Sequence, residues 1–140
     1  MIVAVIDGMG GGIGAQIVSQ LREALPSDIE IWALGTNAIA TQKMMQAGAN
    51  RGASGENAIC ISAAKAGVIL APIGVVVPNA MMGEITPAMA EAVATAPGRK
   101  LLIPLAQTHF EIVGVVPKPL AQHIAEAVQA VADGLQAAQP

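Results

Sequence analysis

The sequence predicts an α/β fold in three layers, a mostly parallel sheet with helices on both faces. Three observations predict it. Short apolar runs alternate with helical spacings from the first residues onward. The runs Ile2–Ile6 and Val68–Ala71 are unbroken, as expected of strands covered on both sides. A glycine cluster stands where the first run gives way to the first helical pattern.

The elements follow in order. After the glycines, Ile13, Ile17, Leu21 and Leu25 recur at helical spacing until Pro26 ends the pattern. Ile29–Leu34 is the second strand, broken by Gly35. Thr36 or Asn37 caps a helix carrying Ile39, Met44 and Ala47, with Gly48 as its stop. Ala49–Gly55 is polar and glycine-rich and reads as loop. Ser54 caps a short helix from Glu56 to about Lys65, with a strand over Ile59–Ile61 as the alternative. Val68–Ala71 is the third strand. Thr86 caps and Pro87 opens a helix that stops at Pro97 and Gly98. Leu101–Leu105 and Ile112–Val116 are the last strands. So little chain separates them that the final strand is expected to turn back antiparallel, since a parallel crossover needs about a dozen residues. Pro119 opens a terminal helix with Leu120, Ile124, Val128, Val131 and Leu135 on one face.

Composition bounds the function. The 140 residues suit a single domain over 1–140. Hydrophobic residues make up 54% and charged residues 12%, with 28 alanines and only Trp32 and Phe110 as aromatics. Such a core packs small and aliphatic side chains, and the scarcity of polar surface predicts a homo-oligomer. The net charge of −3 includes no basic run, which argues against nucleic acid as a partner. Cys60 is the sole cysteine, so no internal disulfide is expected, and it reads as a small core residue. Asp7 interrupts the first apolar run and no basic segment precedes it, which argues against a signal peptide. Val68–Met82 is punctuated by Pro72, Gly74, Pro78 and Asn79 and is too broken to span a bilayer. The expected location is the cytoplasm.

Gly8, Met9, Gly10, Gly11, Gly12, Ile13 and Gly14 carry the functional signal. At a strand-to-helix junction, glycines let the backbone approach a phosphate without a Cβ clash. The helix N-terminus then offers unpaired N–H groups and a partial positive charge. Two registers fit. Gly10, Gly12 and Ala15 satisfy G-x-G-x-x-G/A, and Gly8, Gly12 and Gly14 satisfy G-x-x-x-G-x-G. The second resembles the loop of short-chain dehydrogenases/reductases, with Asp7 in place of their threonine, and implies a Rossmann-like phosphate loop. The competing reading is a glycine turn that packs the helix on the strand without a ligand. Asp7 counts against a phosphate, because a carboxylate repels a diphosphate unless a proton or metal intervenes.

The end of the second strand normally selects the cofactor. Here it holds Thr36 and Asn37, neither acidic nor basic, with Lys43 the nearest cation, which favours NADP slightly over NAD. Both residues also serve as ordinary helix caps. Pro72, Ile73 and Gly74 follow the third strand and complete the expected nucleotide site. The segment 78–86 begins on the same side and reads either as a lid or as an interface, the latter favoured by Met81 and Met82.

Acid/base candidates are His109, Glu84 and Asn79. A histidine at a strand end more often makes a local hydrogen bond. Carboxylates at a helix start, such as Glu56 and Glu84, often only complement its dipole. His123 flanks the terminal stripe and reads as surface, and the two histidines make no metal motif. Tyrosine is absent, which excludes the Tyr/Lys chemistry of short-chain reductases. Three readings stand in order of preference. The first is a nucleotide- or dinucleotide-binding protein, with oxidoreductase chemistry as one form of it. The second is a non-catalytic nucleotide sensor or partner subunit. The third is an enzyme acting on a small phosphorylated metabolite.

Longer stretches carry a further resemblance. Asp7–Gly14, Ala33–Thr41, Gly55–Ala58, Pro72–Gly74 and Gly83–Pro87 are together similar to an uncharacterised family of short bacterial proteins known as a domain of unknown function. Ala71 stands where that family usually has glycine. The resemblance implies the α/β fold and carries no activity.

Overall fold

In a computed structural model of the chain, residues 1–105 and 110–138 are described. Among them five strands form one parallel sheet: β1 (Ile2–Asp7), β2 (Glu30–Gly35), β3 (Arg51–Ser54), β4 (Val68–Pro72) and β5 (Arg99–Ile103), in the order β3-β2-β1-β4-β5. The helices are α1 (Gly12–Ala24), α2 (Ala38–Gln46), α3 (Glu56–Ala63), α4 (Pro87–Thr95) and α5 (Leu120–Ala137), with a 3₁₀ turn over Ile73–Val76. Among the described residues no helix is long and apolar enough to cross a membrane.

Side-chain alternation along the central strands builds two cores. Val3 and Val5 of β1 and Leu70 of β4 pack with Ile17 and Leu21 of α1, Met44 of α2 and Ile124 of α5. Ala4, Ile6 and Ile69 face the other way, against Ile59 of α3 and Met89 and Val93 of α4. The result is the three-layer α/β architecture expected from the sequence. Because β2 and β4 lie on opposite sides of β1, the chain reverses its direction of travel across the sheet there. That reversal opens a crevice beyond the carboxyl ends of β1 and β4.

Several expectations are corrected. Arg51–Ser54, read as loop, is the edge strand β3. Its residues are mostly exposed, so it lacks an apolar signature. Asn50 aligns it instead: the side-chain oxygen accepts from the Ile31 N–H at 2.7 Å and from Arg22 Nη2 at 2.6 Å. Ile112–Val116 is not a strand, and the described sheet has no antiparallel member. Gly114 adopts φ 93° and Pro117 and Pro119 follow, so that run turns instead of extending. The preceding strand is Arg99–Ile103 and stops short of Leu105, because Pro104 has no N–H to give to a ladder.

Two side chains also change role. Ser54 does not cap α3, whose N-cap is Gly55; the serine hydroxyl lies 2.7 Å from that of Thr41 and helps seat β3 on α2. Cys60 is half-buried, with its Sγ 3.7 Å from the Ala88 carbonyl at the α3–α4 contact. Helical periodicity turns Cys60 away from the face of α3 that buries Ile59 and Ala63, which removes it from the core.

Candidate functional site

The first strand ends in Asp7, whose side chain is buried under the glycine turn. Its Oδ1 accepts from the Gly8 N–H at 2.8 Å and its Oδ2 from the Gly14 N–H at 2.7 Å. Asp7 thus holds one of the orphan donors at the start of α1, the task a capping side chain performs elsewhere. Gly14 must lack a side chain for this contact, since a Cβ there would lie 2.8 Å from that of Asp7. Burial pushes the Asp7 carboxyl above its ordinary value, the two N–H donors pull it back, and the Glu84 charge adds to the rise.

The turn itself is closed by the Gly11 N–H donating to the Gly8 carbonyl at 2.9 Å, with Met9 at φ 53° and Gly11 at φ 75°. Above it lies a cleft of about 390 Å³. It is lined by Gly8 to Ile13 and Gln16, by Pro72 at the end of β4 and Gly74 beyond it, and by Ala80, Met81 and Leu105. This is the crevice that the strand order predicts. Gly10 and Gly12 differ from the other glycines of the turn. Neither has a positive φ, and a Cβ on either would meet nothing within 4 Å. Among the described residues the N–H groups of Gly12 and Ile13 have no partner, while that of Ala15 donates to the Gly11 carbonyl at 2.9 Å.

Thr36 and Asn37 stand at the end of β2, as expected, but they are engaged with the chain itself. Glu84 Oε1 accepts from the Thr36 hydroxyl at 2.5 Å, from Asn37 Nδ2 at 2.9 Å and from the Met9 N–H at 3.0 Å. The Thr36 hydroxyl, followed by the Met9 N–H and the Asn37 amide, holds the Glu84 carboxyl below its ordinary value against a smaller opposing effect of burial. Asn37 is the cap of α2, its Oδ1 accepting from the Ala40 N–H at 2.9 Å. Asn37→Ala removes the cap and the bond to Glu84 and is expected to cost about 1–2 kcal/mol in urea unfolding.

A model of the family described as Domain of unknown function (DUF3842) matches residues 2–136. The chain belongs to the DUF3842 family. No curated protein matches it. Among solved structures the DUF3842 chain is similar to a dodecameric FMN-dependent Ubix-like decarboxylase from Escherichia coli O157:H7, at 12% identity and a TM-score of 0.46, over 99% of this chain and 95% of that one.

The structure places the remaining candidates unevenly. Pro72 and Gly74 line the cleft, whereas Ile73 does not. Asn79 lies outside it, at φ 68° in a turn where its N–H donates to the Ile85 carbonyl at 2.7 Å. His109, with Gln107 and Thr108, lies outside the described residues. His123 is half-buried on α5, away from the cleft. Among the described residues no group of three or more His, Cys, Asp or Glu is placed to hold a metal. Sequence reasoning misses Gln16, the exposed polar side chain one turn into α1 that faces the cleft; its spacing from Gly12 on the helix is the available signal. It also misses the union of Glu84 with Thr36 and Asn37.

Proposed function

We propose that this chain binds a nucleotide by its phosphate, in the cleft over Gly8–Ile13, as a single cytoplasmic domain that self-associates. One observation carries the reading: Gly10 and Gly12 are glycines that the fold itself does not need. Backbone geometry and packing both admit alanine there, and at Gly12, in the first turn of α1, alanine would be the more stable residue. A phosphate seated against that backbone does need them, because it must reach the free N–H groups of Gly12 and Ile13. Pro72 and Gly74 would bound the ligand on the β4 side, and Gln16 would offer it an amide. Any redox chemistry would come from the bound cofactor, which asks little of the protein beyond position. NADP, which the sequence favours slightly over NAD at Thr36 and Asn37, is the dinucleotide form of this reading, and it would have to displace the Glu84 carboxylate bonded to both residues.

The test is thermal unfolding against NAD, NADP, FAD, FMN, ATP and coenzyme A, with Gly12→Val beside the native chain. A ligand at about 100 times its Kd stabilises by roughly 2.7 kcal/mol. Gly12→Val is expected to fold, since a Cβ there meets nothing within 4 Å, and to lose that stabilisation. A variant that binds as the native chain does places the ligand elsewhere and defeats the proposal.

A further inference from the structure

The donors gathered on Glu84 form a site of their own. Three groups from two loops converge on one carboxylate oxygen: the Met9 N–H, the Thr36 hydroxyl and the Asn37 amide. That is how proteins hold an anionic oxygen, whether of a carboxylate or of a phosphate. The Thr36 backbone and Asn37 are also held by bonds that do not involve Glu84. The Thr36 N–H is fixed to the Asp7 carbonyl at 3.0 Å, so β1 sets that residue. Asn37 is fixed by its bond to the Ala40 N–H, and its Nδ2 also donates to the Met9 carbonyl at 3.0 Å. Asn37 and the Thr36 backbone therefore keep their places when the carboxylate leaves.

The carboxylate rides on a turn that is closed on itself and anchored at its end by the fully buried Ile85. Asn79–Ile85 is closed by its own bonds: the Ile85 N–H to the Ala80 carbonyl at 3.2 Å, the Gly83 N–H to the Asn79 carbonyl at 3.2 Å and the Glu84 N–H to the Met81 carbonyl at 3.1 Å. Asn79, Met81 and Met82 all hold left-handed backbone conformations, at φ 68°, 57° and 57°, a strain that surrounding contacts must maintain. Met82 is 93% exposed and adds no such contact. Ala80 and Met81 of the same segment wall the cleft, and Met81 reaches Gly8 so closely that a Cβ there would lie 2.8 Å from its sulfur.

We propose that Met9, Thr36 and Asn37 form an oxyanion site for a phosphorylated ligand, kept filled by Glu84 until the ligand displaces it and the turn over Met81–Glu84 swings off the cleft, with Ile85 staying buried in the core. The inference rests on the reading that the neighbouring cleft takes a phosphorylated ligand, since one extended molecule would then span both sites across Gly8. A short phosphate ester in the cleft leaves Glu84 seated, while a ligand with a second phosphate must expel it. Extended nucleotides therefore bind more weakly than their contacts alone allow.

Amide NMR of the full chain with inorganic phosphate as probe tests this. In Glu84→Ala the Met9 and Thr36 amides and the Asn37 side-chain amide are expected to respond at about ten-fold lower phosphate than in the native chain, as when an internal occupant leaves a site open one time in ten. Adding Thr36→Val to Glu84→Ala is expected to reverse the gain. Glu84→Gln, which keeps an acceptor oxygen and loses the charge, is expected to fall between and serves if the alanine variant unfolds. Equal half-saturation in native chain and variants, or silence of the Met9, Thr36 and Asn37 signals in Glu84→Ala, overturns the proposal. The Gly10, Gly12 and Ile13 amides report the cleft separately. Their silence beside a response at Met9 and Thr36 defeats the cleft reading alone.

Discussion

Gly11→Ala is expected to lose about 3–5 kcal/mol of stability, a fall in Tm of roughly 10–20 °C, while Gly10→Ala and Gly12→Ala change stability by no more than about 1 kcal/mol. The contrast lies within three adjacent residues. Gly11 is the N-cap of α1 and holds φ 75°, a conformation that a side chain disfavours. A Cβ there would also lie 2.7 Å from the Ala40 Cα and 2.9 Å from the Ala40 carbonyl oxygen. Those atoms are backbone of α2 and cannot turn aside as a flexible side chain would. Relief requires α2 to shift away from α1, which opens the core that Met44 fills. Gly10 and Gly12 face open space and suffer neither penalty. Urea unfolding of the three variants, with ligand binding measured beside it, separates fold from function: Gly11→Ala fails in stability, the other two in binding. A Gly11→Ala chain as stable as the native one would mean that α1 and α2 do not approach as described.

This division shows what a glycine run discloses by itself. The pattern Gly8–Gly14 marks a strand-to-helix turn in either register, and that much is legible. Which glycines the fold requires and which it leaves free depends on Ala40 and Met44, residues of another helix that no local spacing reveals. The central strands are legible for the opposite reason. Ile2–Ile6 and Val68–Ala71 are buried on both faces, so nearly every position is apolar and the signal needs no partner.

The misses lie at the edges. β3 pairs only with β2 and exposes most of its residues, so Arg51, Gly52 and Ser54 read as loop. Ile112–Val116 errs the other way: it has strand composition, yet Val113 is 98% exposed and Gly114 turns the chain. Apolar character says that a segment favours burial, not that it joins the sheet. Glu84 is legible as a polar residue on a segment above the strand ends, but its partners lie 47, 48 and 75 positions away. Hydrogen bonds over such separations leave no periodicity behind. The doubt raised by Asp7 has the same origin. Its carboxylate lies beneath the turn, and the Gly14 N–H that explains it is positioned only once α1 has formed.

Asp7→Ala is expected to destabilise the chain at neutral pH by about 2–5 kcal/mol, and Asp7→Asn by about 1–3 kcal/mol. The alanine leaves the Gly8 and Gly14 N–H groups without the acceptor they share in a buried place. The asparagine keeps one acceptor oxygen but turns an NH₂ toward the second N–H. The pH dependence runs against the usual carboxylate. Burial raises the Asp7 pKa in the folded chain, so the folded state keeps this proton to a higher pH than the unfolded state does. Where the unfolded chain has already lost it, each rise in pH lowers the stability that Asp7 contributes. The loss begins at the ordinary carboxylate value and is complete above the raised one. Glu84 acts with the opposite sign: its pKa is lowered in the folded chain, so its contribution is full above the ordinary value and disappears as pH falls through the lowered one. Urea unfolding from about pH 4 to about pH 8 is expected to show the native chain losing stability relative to Asp7→Asn as pH rises through this window. Glu84→Gln carries its difference from the native chain on the acid side instead. Parallel profiles for the native chain and Asp7→Asn would mean that folding does not perturb the Asp7 carboxyl. The proposed phosphate binding is expected to follow the same proton. An ionised Asp7 beneath the cleft repels an incoming oxyanion, so ligand affinity is expected to weaken over the same rise in pH, and Asp7→Asn is expected to remove that dependence.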